Sequence, residues 1–195
     1  MQKFLFILVS ALFINSCWGE ILDDVLIASA RGDFATVKKI ITQPALNGEP
    51  WAQFNMGLLY DKGQGVLQDS VEAVKWYRLA ANQGFSQSQY NLGVMYAKGL
   101  GVAQDNIEAV KWYRLAAQQG LSESQYNLGV MYAKGLGVVQ DLIIAHSWLN
   151  LSAVNGDSQA ITARDNLTKV MTPQEVAVAQ KIARDCQSKK LKGCN

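Results

Sequence analysis

The chain has 195 residues, of which 49% are hydrophobic and 17% charged, and its net charge is +2. That composition describes one domain or a modest repeat array and excludes a disordered tail or a collagen-like polymer. So even a charge balance excludes nucleic-acid binding by phosphate neutralisation, and one histidine with three cysteines excludes most zinc sites and argues against a histidine-based triad.

At the N-terminus a lone Lys3 precedes an apolar run from Phe4 to Ile14. Eleven residues are too few to span a bilayer, which takes about 20, but they suit the core of a secretory signal peptide. Small residues at Cys17 and Gly19 put the cleavage after Gly19. An alternative is that Ile14-Asn15-Ser16-Cys17 resembles a bacterial lipoprotein box, which would anchor the chain through Cys17, although Asn15 fits that box poorly. Both readings export the chain to the periplasm or beyond.

Two short amphipathic helices are expected next, Leu22 to Ala30 and Phe34 to Ile41, split by Arg31-Gly32-Asp33. A repeat of period 36 then dominates. The fifteen residues Ser88 to Val102 recur letter for letter at Ser124 to Val138, and Ala52 to Val66 carries the same skeleton. The second halves also align: Glu72 to Ala81 equals Glu108 to Ala117, while Ile144 to Ala153 has drifted.

Each copy reads as two helices. Leu92, Met95 and Tyr96 recur at helical spacing, as do Ala109, Trp112, Tyr113 and Ala116. Gly99 suits the residue just past a helix end. Asp105 with Glu108, and Asp69 with Glu72, predict capping boxes, of which Asp141 keeps only half. Gly57, Gly93 and Gly129 fall inside the first helix, where glycine costs about 1 kcal/mol against alanine. A bulky residue of the paired helix packed against each would offset that cost. The tandem tryptophans Trp76, Trp112 and Trp148 are expected in the core. Beyond the repeats, Ser158 to Val170 and a segment opened by Thr172-Pro173 predict two capping helices. The expected organisation is a leader over 1–19, a degenerate helix pair over 20–51, repeats over 52–87, 88–123 and 124–159, and capping helices with a tail over 160–195.

Cys186 and Cys194 remain after export, an even pair in an oxidising compartment, and a disulfide is expected. Eight residues of unbroken helix would separate them by about 12 Å, beyond the roughly 7 Å a disulfide spans. The last helix must therefore stop near Ser188 to Lys190, with Gly193 permitting the return. Residues 181–195 hold five basic and one acidic side chain, against 12 basic and 15 acidic over 20–180. Lys189, Lys190 and Lys192 read as a solvated tail or as a weak contact with anionic lipid or an acidic partner.

The repeat pattern A-x-x-x-N-L-G-x-x-Y-x-x-G-x-G-V, followed by D-x-x-x-A-x-x-W-Y-x-x-A-A-x-x-G, resembles the Sel-one-like repeat, a variant of the tetratricopeptide class, from Ala52 to about Gln159. The third copy departs at Ser147, Leu149, Asn150 and Ser152. The resemblance implies an all-α, right-handed α-solenoid of antiparallel helix pairs that binds a protein or peptide, with no reaction. Its first-helix aromatic row, Phe54, Tyr90 and Tyr126, would either face the concave groove, where a peptide could lie, or serve packing between repeats. The parallel row Asn55, Asn91 and Asn127 either ties neighbouring helices by hydrogen bonds or contacts a ligand. A cell-wall-binding scaffold is the alternative. Cysteine-rich relatives linked to β-lactam binding or hydrolysis are a third, disfavoured because this chain lacks their paired cysteines and a Ser-x-x-Lys motif. The paired glycines Gly63 and Gly65, with their equivalents, are loop devices rather than phosphate cradles, lacking a preceding strand and a following Lys-Ser/Thr. His146, at the register of Val74 and Val110, is expected as a partly buried, satisfied histidine rather than a catalytic one. No catalytic residue, metal or cofactor is assigned.

Overall fold

A computed structural model describes residues 16–191 and Cys194. Among these, ten helices and no strand occur. The expected leader falls on residues 1–15, outside the described residues, and on the first turn of α1. The helices form two compact units, divided between Phe85 and Ser86.

The first unit contains α1 (Ser16–Ala30), α2 (Phe34–Leu46), α3 (Pro50–Lys62) and α4 (Ser70–Asn82). Each packs on the next in chain order, and the short connections turn the chain back so that consecutive helices run antiparallel. Asp33 caps α2 by accepting from the Thr36 amide. This helix runs beyond the expected Ile41 to Leu46, because Pro44 sits in the last turn, where a missing N–H costs only one bond near the helix end. Val37, Ile41, Ala45, Ala52, Met56 and Leu59 form the core with Val25 and Ala28 of α1.

The second unit contains α5 (Ser86–Lys98), α6 (Asn106–Ala117), α7 (Ser122–Lys134), α8 (Leu142–Val154), α9 (Ser158–Thr168) and α10 (Pro173–Ser188). From α5 to α9 each helix again packs on its successor. The final pair departs from expectation, since α10 lies chiefly against α8 instead of α9. There it buries Ala183 and Cys186 among Val110, Tyr113, Ala117, Leu128, Trp148 and Leu151, an apolar surface that α9, with only Ala160 buried, does not offer. Apolar area decides the docking partner.

The mid-helix glycines meet their expected neighbours. A Cβ on Gly57 would lie 2.5 Å from the Tyr77 ring, and one on Gly93 would lie 2.7 Å from that of Tyr113. In the drifted copy Leu149 fills the same place, 2.7 Å from a Cβ on Gly129. The tight approach thus explains both the glycine and the large residue twenty positions later. Of the tryptophans, Trp112 and Trp148 are buried, whereas Trp76 is half-buried at the edge of the first unit's core.

The interhelix loops repeat one device. Gly135 ends α7 in the left-handed region, φ 67°, a conformation that glycine adopts without a Cβ penalty. Gly137, φ 70°, abuts the Asn106 backbone so closely that any Cβ would overlap it. Gln140 then donates to the Ala133 carbonyl at 2.8 Å, as Gln104 does to Ala97 and Gln68 to Asp61. The capping boxes expected at Asp69 and Asp105 form only by half. Each aspartate accepts from two first-turn amides, but Glu72 and Glu108 pair with Lys75 and Lys111. The return bond has nothing to satisfy, because the Asp69 and Asp105 amides already donate to the Tyr60 and Tyr96 carbonyls at 3.0 Å. A full reciprocal box occurs at Thr172 and Glu175.

Cys186 and Cys194 are joined by a disulfide, with their Cα atoms 5.6 Å apart. As expected, the last helix stops at Ser188. Lys190 and Leu191, both at positive φ, turn the chain. Gly193, assigned the bend from sequence, lies outside the described residues. Gln118, just past the end of α6, donates to the Cys194 carbonyl at 3.1 Å, so the tail is tied into the core of the second unit.

Candidate functional site

The six residues of the first-helix rows occupy unequal environments. In the first unit Phe54 is 4% exposed, packed between the rings of Tyr77 and Phe85 with centroids 6.1 and 5.2 Å away. Asn55, 3% exposed, donates to the Trp51 carbonyl one turn back in its own helix at 2.9 Å. Neither offers surface to a ligand.

In the second unit Tyr90, Asn91, Tyr126 and Asn127 are all half-buried. The Tyr90 ring lies 6.0 Å from that of Tyr113. Burial first, and the Glu123 carboxylate second, push the Tyr90 hydroxyl above the ordinary tyrosine value, against a lowering hydrogen bond from Asn127. The aromatic of one repeat thus meets the amide of the next. Burial also raises Tyr113, with Tyr90 a lesser cause. Tyr126 rests on Leu149, Ala153 and Ala160 beside Ala163 and Leu167. It lines a cleft of about 470 Å³ with Ser158, Gln159, Thr162, Ala163 and Asn166 of α9. An aromatic ring beside hydroxyls and amides offers stacking and hydrogen bonds of both senses, without formal charge.

Sequence reasoning offered the asparagines as helix-tying or ligand-contacting residues; Asn127 does bond to Tyr90 of the preceding repeat, and the glutamines two positions earlier carry further ties. Buried Gln53 donates to the Ala45 carbonyl at 3.2 Å and accepts from Gln83 at 2.8 Å. Gln119 donates to Gln89 at 2.7 Å, and Gln125 donates to the Ala117 carbonyl at 3.2 Å. Asn55 cannot serve, because its amide is spent within its own helix. The signal available in the sequence was a buried-register glutamine recurring every 36 residues alongside a polar residue thirty positions later. Gln53→Ala removes two side-chain bonds at a buried position, to Gln83 and to the Ala45 carbonyl, which keeps the Gly48 amide at 3.1 Å, an expected loss of about 0.5–1.5 kcal/mol. Gln83→Ala, at an exposed position, should cost less than half of that. Urea unfolding of the two variants checks the ranking.

His146 is not half-buried as expected but 1% exposed. Its Nε2 lies 3.1 Å from the Thr168 hydroxyl, and its Nδ1 has no partner. No cluster of three or more histidine, cysteine or acidic side chains able to hold a metal occurs among the described residues. No helix among them is long and apolar enough to cross a membrane.

Tandem helix pairs, a glycine–tyrosine contact repeated in register and an amide ladder across repeats define an α-helical solenoid repeat protein. The Sel1 repeat profile matches residues 52–85, 86–121 and 122–157. The chain belongs to the Sel1 repeat family, whose members mediate protein–protein interaction. Among solved structures it is similar to a Sel1 repeat protein from Oxalobacter formigenes, at 36% identity, TM-score 0.61, over 65% of this chain and 95% of that one. It is also similar to c5321, a protective antigen present in uropathogenic Escherichia coli strains and displaying the same repeat fold, at 30% identity and TM-score 0.73. That likeness covers 91% of this chain and 43% of that one, so the chain spans under half the antigen's length. No curated protein matches it.

Proposed function

We propose that this chain is a non-catalytic scaffold that holds an extended segment of a partner protein along the first-helix face of its second unit. Tyr90, Asn91, Tyr126 and Asn127 would contact the segment, with α9 as one wall. The observation that carries the reading is the Tyr126 cleft: a half-buried ring is left open beside five small or polar residues, where a repeat built only for packing would have closed over it. Main-chain amides of an extended peptide suit such an uncharged groove. The place of action is an oxidising compartment of the cell envelope. The buried Cys186–Cys194 disulfide and the apolar leader support export, with release by a signal peptidase preferred over an anchor through Cys17.

Simultaneous Tyr90→Ala and Tyr126→Ala substitution should abolish cross-linked capture of the partner from an envelope fraction, with capture reduced at least tenfold. The same variant should keep its helical circular dichroism. A lowered melting temperature with capture intact would assign the row to packing alone. Co-sedimentation of the wild-type chain with purified peptidoglycan, lost in the double variant, would replace the protein ligand by cell-wall material.

A further inference from the structure

One position of the third repeat breaks the pattern of the other two in a way that packing does not require. Val74 and Val110 are buried at 4% exposure in the first two copies, and at the same register His146 is buried at 1%. A valine fills that site twice, so shape alone gives no reason for a titratable ring. The ring's hydrogen bonds define its state. The Thr168 hydroxyl donates its proton to the Arg164 carbonyl at 3.0 Å, so towards His146 it can only accept. Nε2 therefore carries the hydrogen of a neutral imidazole, and Nδ1 is a bare lone pair with no partner among the described residues.

Adding a proton at Nδ1 would place a donor where no acceptor stands, in a buried site, at a cost of at least a hydrogen bond's worth of desolvation. It would also place a cation near the Arg164 guanidinium. Burial, and then Arg164, oppose the charged ring, and Asp165 only partly offsets them. Arg164 is itself turned towards Asp165 and Asn150. The other helices packed on α8 hold their charges at exposed positions: Glu123 and Lys134 on α7, and Glu175, Lys181, Arg184 and Asp185 on α10. Among the described residues no buried carboxylate stands ready to receive an imidazolium.

The bond from His146 reaches the last residue of α9, a helix that fully buries only Ala160 and is otherwise held to α8 by the partly buried Ala163 and Leu167 and by bonds at its N-cap and from Arg164. We propose that His146 is an acid-sensitive latch: the neutral ring holds α9 against α8, and protonation frees α9 and so dismantles one wall of the Tyr126 cleft. The consequence for ligand binding rests on the groove reading above, whereas the latch itself does not. The sign follows from linkage. In the opened state the ring meets water and titrates near 6.5; in the closed state it titrates lower. Stability of the closed state is therefore full above about pH 6.5, falls as the pH drops through that value, and levels off below the closed-state value.

Hydrogen exchange of the peptide covering residues 158–168, with no ligand present, tests this apart from any binding. After correction for intrinsic exchange, the opening constant should rise by up to about tenfold for each pH unit below about 6.5. His146→Val, which copies the first two repeats, should remove that rise and keep α9 protected at every pH. His146→Gln keeps a donor for Thr168 without titrating, and should behave as valine does. A wild-type chain whose α9 protection is flat from pH 7.5 to 5, or variants that lose protection in parallel with it, would overturn the latch.

Discussion

Gly93→Leu should destabilise the chain by about 1–3 kcal/mol or more, as overpacking of a tight contact does. A Cβ at position 93 would already lie 2.7 Å from two ring atoms of Tyr113, whose side chain is 4% exposed, so the ring has nowhere to move. Gly93→Ala separates two opposed effects. Alanine gains about 1 kcal/mol in helix propensity, but its methyl must displace the ring or part α5 from α6. The net effect should remain destabilising. Pairing Gly93→Leu with Tyr113→Ala should recover part of the loss, giving a coupling energy that neither single variant predicts. Gly129→Leu should behave similarly against Leu149, with less relief available, because the Ala145 carbonyl stands 3.1 Å from the added Cβ. Chemical denaturation decides, and an unchanged midpoint for Gly93→Leu would mean that the paired helices do not approach at that point.

Opening the disulfide should cost about 2–3 kcal/mol on the chain-entropy model for so short a loop. The effect should also spread beyond the tail. Cys186 and Cys194 belong to the same core as Tyr113, Trp148 and Leu151, and Leu191 of the returning segment packs against it. That segment walls a cleft of about 480 Å³ lined by Gln118, Gln119, Gln125, Asn155 and Gln187. Reduction should therefore lower the melting temperature and expose α6 and α8 to hydrogen exchange, while the first unit is untouched. Cys186→Ala with Cys194→Ala should reproduce this without reductant. Mass spectrometry of the unreduced protein checks the pairing, and two free thiols would remove the staple.

The helix pairs, their period and the tight glycine contacts were legible because each arises from local spacing repeated three times. Gly93 and Tyr113 twenty residues apart read as partners once the repeat fixed which helix faces which. The disulfide was legible from cysteine arithmetic and helix rise, and so was the point where α10 had to stop. Other features depended on what the chain meets in space. The return bond of the capping boxes failed because a tyrosine carbonyl from the preceding helix had already taken the Asp69 and Asp105 amides. The amide ladder runs through Gln53, Gln89 and Gln125, whose side chains bond beyond their own helices, while Asn55 bonds back within its own and Asn127 meets Tyr90. Phe54 and Tyr126 share one register, yet one is sealed by Phe85 and the other opens onto α9. A repeat assigns both to the same row, and only the neighbouring chain decides which is core and which is surface. Sequence by itself determined an all-helical array of Sel1-type repeats and the chemistry available to it. Tertiary structure decided that α10 abandons α9 for the apolar face of α8, because buried area governs docking. It thereby left the Tyr126 cleft open and His146 alone with Thr168.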